Sequence, residues 1–287
     1  MTARVAAWFS LVRFSHSVFA LPFALMALLV ASSGRPGFRL LGLVVGAVVA
    51  ARTAAMAFNR YLDRAIDAAN PRTQGREIPR GTITPAAALG LTLLSSALFV
   101  ALAWVIAPVC GALALPVLFV LLGYSWSKRF TSLAHLWLGI ALGLAPPAAH
   151  LAARGHFDGS LLAPGILGLA VALWVTGFDI LYATQDLDFD RRSGLFSLPA
   201  SLGARGALRV AAFAHAAAVP LFLAFGWLSG LSYAYAIGVA VAAGLLWSEH
   251  RLVRGGDLSR IDAAFFQRNA LVSLLLLAAT ILDLYVI

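Results

Sequence analysis

Apolar residues in this chain come in long, nearly unbroken runs with short polar punctuation between them. A helix that crosses a bilayer needs about 20 mostly apolar residues. Nine runs approach that length, near 14–33, 39–62, 84–106, 109–127, 132–152, 161–184, 207–227, 231–249 and 264–286. Between them lie turn formers such as Gly34-Arg35-Pro36-Gly37, Ala107-Pro108 and Ser229-Gly230, and polar stretches over 67–84 and 186–205. No linker is long enough to separate two soluble domains. The first run continues to Ser33 without a small-residue cleavage site, so it reads as a retained helix. The pattern predicts an all-α, polytopic membrane protein of about nine transmembrane helices, with residues 1–287 forming a single membrane domain.

Composition agrees. Hydrophobic residues make up 61% of the 287 positions and charged residues 11%, against about 25% charged in an average soluble protein. Mean hydropathy is +0.90. A soluble domain of this size must keep its outer layer wet and could not hide so much apolar surface. The net charge of +9 comes from 21 Lys+Arg against 12 Asp+Glu. These basic residues sit in short loops between apolar runs, which is the signature of membrane topology and not of a nucleic-acid face. The single cysteine, Cys110, lies within an apolar run and forms neither an internal disulfide nor a metal cluster.

Nine spans with a cytoplasmic N-terminus leave only Arg35, Arg39 and Arg154 on the far side, and nearly all other basic residues inside. The acidic residues follow: only Asp158 and Asp283 lie away from the cytoplasmic helix ends. The chemistry is therefore expected at the cytoplasmic face.

Two acidic helix ends carry that chemistry. Asn59, Asp63 and Asp67 are spaced i, i+4, i+8, and Arg52 extends the same stripe backward into the membrane. Asp179, Tyr182, Asp186 and Asp190 are spaced i, i+3, i+7, i+11, again one helical face, with Asp188 pointing elsewhere. Taken singly, Asp67 or Asp190 reads as a wetted helix end. As a set they do not. An ionised Asp179 or Arg52 inside an apolar run costs a few kcal/mol, about 3 by insertion scales. Neighbouring carboxylates repel, and aspartate is unfavourable at a helix C-terminus. Unfavourable placements repeated at two sites imply a missing cation. Mg²⁺ suits hard oxygen ligands and is held by one or two carboxylates plus substrate phosphates. The stiff loop Asn70-Pro71-Arg72-Thr73-Gln74-Gly75-Arg76 follows the first end, and Lys128-Arg129 ends the fourth run on the same side. Arg72, Arg76 and Lys128 are the expected donors to diphosphate oxygens. For Arg80, Arg129, Arg191 and Arg192, anchoring to lipid headgroups is an equally good reading.

Asn59-x3-Asp63-x3-Asp67 with Asn70-Pro71-Arg72-Thr73 and Arg76 resembles the first motif of the UbiA superfamily of membrane aromatic prenyltransferases. Asp179-x2-Tyr182-Ala183-x2-Asp186-x3-Asp190, followed by Gly194 and Ser197-Leu198-Pro199, resembles the second. The resemblance implies a nine-helix bundle around a central cavity capped by cytoplasmic loops. It implies that Asp63, Asp67, Asp186 and Asp190 bind Mg²⁺, that Asn59, Arg72, Arg76 and Lys128 help bind the prenyl diphosphate, and that Asp179 and Tyr182 lie near an aromatic acceptor. Arg52 matches an upstream arginine of the family, and Arg13 one near the acceptor's pocket. The 4-hydroxybenzoate enzymes of ubiquinone synthesis usually follow that arginine with an Asp-Lys-Pro-Ile-Gly-like stretch; here Phe14-Ser15-His16-Ser17-Val18-Phe19 follows. That is similar to a bacterial side branch, some of whose members act on a naphthoate in menaquinone synthesis. The implied location is the bacterial inner membrane.

The expected reaction is Mg²⁺-dependent transfer of a polyprenyl group from its diphosphate to the ring of an aromatic acid, 4-hydroxybenzoate or a hydroxynaphthoate, with Asp179 orienting or deprotonating the acceptor. The expected partners are those two substrates and the bilayer, with no nucleic acid and no obligate protein. A transporter of an anionic substrate is the rival class, but the acids gather at one face instead of the midplane. The six histidines lack metal-ligand spacing and read as structural.

Overall fold

The computed structural model describes residues 3–13, 18–253 and 261–286. His16, and the loop residues Arg254, Asp257 and Arg260, lie outside the described residues. Every regular element among the described residues is helical: α1 (Ala3–Leu11), α2 (Leu21–Ala31), α3 (Phe38–Leu62), α4 (Arg64–Ala69), α5 (Pro85–Ile106), α6 (Pro108–Ser127), α7 (Ala134–Gly143), α8 (Ala145–Arg154), α9 (Leu162–Ala183), α10 (Leu187–Arg192), α11 (Leu198–Leu228), α12 (Tyr233–Val253) and α13 (Ile261–Tyr285).

Proline opens several of them, at a position where its missing N–H costs no hydrogen bond. Thr84 and Ser197 cap α5 and α11 by accepting from the amides of Ala87 and Ala200, both at 3.2 Å. Seven helical stretches are long and apolar enough to cross a bilayer. The first expected run is realised as the 11-residue α2. The eighth becomes the 21-residue α12, which Ser248, Glu249, His250 and Arg251 make too polar at its end to join the seven. The fifth run is two short helices, α7 and α8, separated at Leu144, because Pro146 and Pro147 supply no amide to carry the ladder across.

Helix α9 is the interior column: 61% of its spanning window is buried, against 17% for α5, which faces lipid. Its Trp174 and Phe178 stack edge to face at 5.0 Å between ring centres, and Phe23 of α2 meets Trp174 at 5.3 Å. The Trp174 indole donates to Asn269 Oδ1 at 2.9 Å, and Asn269 donates to Glu249 Oε1 at 2.8 Å, so polar groups inside the bundle are bonded to one another.

Apolar side chains gain little by leaving lipid for a bundle, so helices in a bilayer associate through close packing of small residues. The antiparallel pair α7–α9 shows this. A Cβ built on Gly143 would strike the carbonyl of Gly168, and one on Gly139 that of Ala172. Each four-residue step toward the N-terminus of α7 meets a four-residue step toward the C-terminus of α9. The next step brings His135 to Thr176, whose Oγ1 lies 3.4 Å from the His135 carbonyl, and the imidazole reaches onward to Asp179, about one turn further along α9. This backbone contact thus sets the register of α9, and with it the position of the second acidic end.

Gly143→Leu is expected to destabilise the protein by about 1–3 kcal/mol through overpacking, read as a lower melting temperature in detergent. Gly165→Ala, where an added Cβ meets open space, is expected to leave the melting temperature unchanged. Equal melting temperatures for Gly143→Leu and wild type would show that α7 and α9 do not depend on this approach.

Candidate active site

The two acidic ends, distant in sequence, converge on one polar pocket of about 130 Å³. Its walls include Asn59, Asp63 and Asp67 from the first end, Asp179, Tyr182, Asp186 and Asp190 from the second, and Arg72, Arg76 and Lys128. Ten of the twelve residues singled out from the sequence thus share one space.

The first end is not one continuous helix. α3 stops at Leu62, Asp63 is its C-cap, and α4 restarts at Arg64. The Asp63 and Asp67 amides still bond to the carbonyls four residues back, at 2.9 and 2.7 Å, so the helical spacing survives the break. Asp63 Oδ2 accepts from Asn59 Nδ2 at 2.9 Å, and Oδ1 from Arg129 Nη2 at 2.9 Å. Arg129 also donates to the carbonyls of Ser125 at 2.8 Å and Leu62 at 3.2 Å, clamping the end of α6 to the end of α3. Arg129 is therefore held inside the protein and not spread over a headgroup. Burial holds the Asp63 carboxyl above the usual carboxylate range, against the pull of Arg129. Asp67 is buried; its Oδ1 accepts from Arg76 at 2.6 Å and its Oδ2 has no hydrogen-bond partner.

The second end tightens as it leaves α9. Thr184–Asp186 form a 3-10 turn, and α10 carries Asp190. Arg72 grips Asp186 through two nitrogens, with Nε donating to Oδ1 at 2.8 Å and Nη2 to Oδ2. Asn70 Nδ2 adds a third bond to Oδ1 at 3.1 Å. Nη1 of Arg72 donates to the Tyr182 hydroxyl at 2.8 Å. Burial alone lowers the affinity of Arg72 for its proton, but the bonds to Asp186 and Tyr182 outweigh it and hold the guanidinium above its ordinary value. Asp190 is buried, and its Oδ2 lacks a partner. Asp188 is exposed and outside the pocket.

Arg191 and Arg192 turn away, bonded to the carbonyls of Ala200 and Asp188. Arg52 does not face the acids. It lines an adjoining apolar cavity of about 450 Å³ that runs between α3, α5, α6, α7 and α8 and shares Tyr124 with the polar pocket. Its Nη2 reaches the carbonyl of Arg13 at 3.5 Å, and its Nε is buried without a partner. Arg13, at φ 44°, is outside both the pocket and the cavity.

One residue escaped the sequence reading. His135 is fully buried on the first turn of α7, and its Nδ1 lies 2.6 Å from Asp179 Oδ2. The available signal was the i, i+4, i+8 spacing of His135, Gly139 and Gly143, which places the histidine on the helix-contact face.

No three carboxylates or histidines among the described residues converge as a ready-made metal cage. The donor set nonetheless fits Mg²⁺. Two buried carboxylate oxygens, one on each acidic end, lack partners. The guanidiniums of Arg72, Arg76 and Arg129 stand where anionic groups already need neutralising, and Mg²⁺ completes its octahedron with water and phosphate oxygens.

The 70–83 loop hangs on Arg72. Arg72→Ala is expected to speed tryptic cleavage at Arg76 and Arg80 in detergent by about tenfold, the loss of a charge-assisted bond worth about 1.5 kcal/mol or more. Unchanged cleavage would show that Arg76 and the packing of Ile78 hold the loop unaided.

Residues 20–274 match the UbiA prenyltransferase family. A 4-hydroxybenzoate octaprenyltransferase of Paraburkholderia phytofirmans is 31% identical over 272 residues, covering 94% of this chain and 93% of that protein. The apo structure of a UbiA homologue from Aeropyrum pernix superposes with a TM-score of 0.85 at 35% identity, over 93% of this chain and 98% of that one. A UbiA homologue from Archaeoglobus fulgidus, solved with GPP and Mg²⁺ bound, shares the fold with a TM-score of 0.70 at 17% identity, over 98% and 100% of the two chains. A family match across most of the chain, on an all-helical bundle with seven bilayer-length helices, leads to one conclusion: this integral membrane protein belongs to the UbiA prenyltransferase family.

Proposed function

We propose that the protein transfers a polyprenyl group from a polyprenyl diphosphate to the ring of 4-hydroxybenzoate or a similar aromatic acid. The carrying observation is the polar pocket, acidic on both sides and rimmed with arginine and lysine, opening beside a 450 Å³ apolar cavity. That pairing suits a molecule with a diphosphate head and a long hydrocarbon tail. Relatives named 4-hydroxybenzoate octaprenyltransferase supply the acceptor class.

In this reading Asp63, Asp67, Asp186 and Asp190 hold Mg²⁺. The bound ion would neutralise charge that develops on the leaving diphosphate. Arg72 now bonds both oxygens of Asp186, and with Mg²⁺ held there its guanidinium would be available to a phosphate oxygen. Asn59, Arg76 and Lys128 share that task. The C–O bond of the allylic ester breaks, the ring carbon bonds to the prenyl carbon, and the ring proton goes to Asp179. Tyr182, held by Arg72, is one wall of the acceptor's position. The apolar cavity excludes water that would capture the developing allylic cation. Arg52, in the lining of that cavity, and Arg13, whose carbonyl it reaches, are read as counter-charges for the acceptor's carboxylate. The basic loops support a pocket facing the cytoplasm of a bacterial inner membrane, with residues 1–287 as one membrane domain.

The test is a product assay with protein in detergent, geranyl or longer prenyl diphosphates, Mg²⁺, and a panel of 4-hydroxybenzoate and hydroxynaphthoates. The expected result is a prenylated aromatic acid that disappears with EDTA and falls about 100-fold or more in Asp63→Asn and in Asp186→Asn. Folded protein that makes no product with any aromatic acid and any donor would overturn the aromatic acceptor. Full activity in EDTA would overturn the metal.

A further inference from the structure

His135 has no place in the reaction as set out above, yet it is the residue bonded to the carboxylate that receives the ring proton. Its ring is fully buried, and Nδ1 stands 2.6 Å from Asp179 Oδ2. The other nitrogen, Nε2, accepts from the backbone N–H of Leu198 at 3.4 Å. A neutral imidazole carries one N–H, and a nitrogen that accepts from an amide cannot carry it. The proton therefore sits on Nδ1 and is donated to Asp179. Doubly protonated, the ring would turn an N–H against the Leu198 amide. The backbone at the start of α11 thus fixes the tautomer, and the tautomer fixes the carboxylate.

Three independent features hold the ring in place. The α7–α9 glycine contact sets its height, since Gly139 and Gly143 sit one and two turns along the same face. Thr176 Oγ1, which donates to the Ala172 carbonyl at 2.7 Å, also lies 3.4 Å from the His135 carbonyl and packs α9 against this turn of α7. The Leu198 amide closes the far side. Asp179 is left with one oxygen occupied; Oδ1 has no partner among the described residues, and the side chain lines the polar pocket.

We propose that His135 is a positioning residue: its Nδ1–H ties down Oδ2 of Asp179 and so presents Oδ1, in one orientation, to the proton leaving the acceptor ring. This rests on the reading of Asp179 as the proton acceptor. The proton moves from ring carbon to Oδ1, while the Nδ1–H proton stays on His135, whose other nitrogen is engaged by Leu198. A carboxylate free to rotate on a lipid-embedded helix would spend much of its time in orientations that cannot reach the ring, and misplacement by about 1 Å is enough to cost about 100-fold.

The test compares His135→Asn, His135→Gln and His135→Leu with wild type for kcat and for KM of geranyl diphosphate and 4-hydroxybenzoate, with Mg²⁺. The asparagine amide lies near the Nδ1 position and keeps a donor for Asp179; the glutamine amide reaches toward Leu198 instead. His135→Leu is expected to lower kcat about 10- to 100-fold, as loss of an orienting partner does, with KM for geranyl diphosphate unchanged. His135→Asn recovers most of that loss and His135→Gln does not. Thermal stabilisation by Mg²⁺ and geranyl diphosphate, equal in all variants, shows that the donor site is intact. Should His135→Leu not fold, the asparagine–glutamine contrast decides alone. Equal kcat for the asparagine and glutamine variants, or a loss confined to KM for the diphosphate, overturns the positioning role while wild-type turnover keeps the reaction. A wild-type protein that makes no prenylated acid overturns the reaction, and this inference with it.

Discussion

Charge compensation at the lipid-embedded helix ends is the constraint on which the rest of this structure depends. A carboxylate taken out of water needs a partner, and here five of them line a pocket of about 130 Å³. Three are matched by arginines: Asp63 by Arg129 of the loop after α6, Asp67 by Arg76, and Asp186 by Arg72 with Asn70. These pairs do more than neutralise. Each joins two segments that no helix connects, so the 70–83 loop, the end of α6 and the α9–α10 junction become one cap. The match is incomplete, since one oxygen each of Asp67 and Asp190 is buried without a partner, and on the proposed reading that deficit is where a cation would sit.

Below the cap the problem reverses. Lipid is as apolar as the side chains, so burial supplies little force between helices, and close approach of backbones takes over. Gly139, Gly143 and Gly168 let α7 and α9 touch at backbone distance. This fixes α9 in height and rotation, and α9 carries both the aromatic core at Trp174 and the acids at its end. On the other side of α7 the packing opens, because the prolines after Gly143 break the helix and leave room for the cavity toward α3 and α6. One tight face and one open face on the same helix pair thus set a rigid site beside a volume that fits a flexible tail.

Electrostatics and shape meet at Tyr124 and Arg52. Tyr124 belongs to both the polar pocket and the apolar cavity, and Arg52 is the charged residue in the cavity's lining. An amphiphile with a charged head and an apolar tail is the kind of molecule whose two ends match these two solvents, and the junction between them is where its reacting bond would lie.

Much of this was legible from residue spacing. Unbroken apolar runs needed only the length of a bilayer to become helices, and the i, i+4 and i, i+7 spacing of the aspartates needed only the pitch of a helix to share a face. Both are local properties, so the all-helical membrane fold followed from them, as did the two polar faces, Asn59, Asp63 and Asp67 on one and Asp179, Tyr182, Asp186 and Asp190 on the other, that line one pocket. Spacing could not show which arginine meets which aspartate, because ion pairs such as Arg72–Asp186 and Arg129–Asp63 join residues 114 and 66 positions apart. It placed Arg52 on the acidic stripe, but Arg52 lies about two turns before Asn59 on α3, which sets it in the lining of the apolar cavity and outside the polar pocket. It passed over His135, whose role depends on two helices meeting at glycines and on one amide of a third. The chain's own periodicity determined what could be a helix and which residues could act; only the packing of helices against one another decided which of them touch.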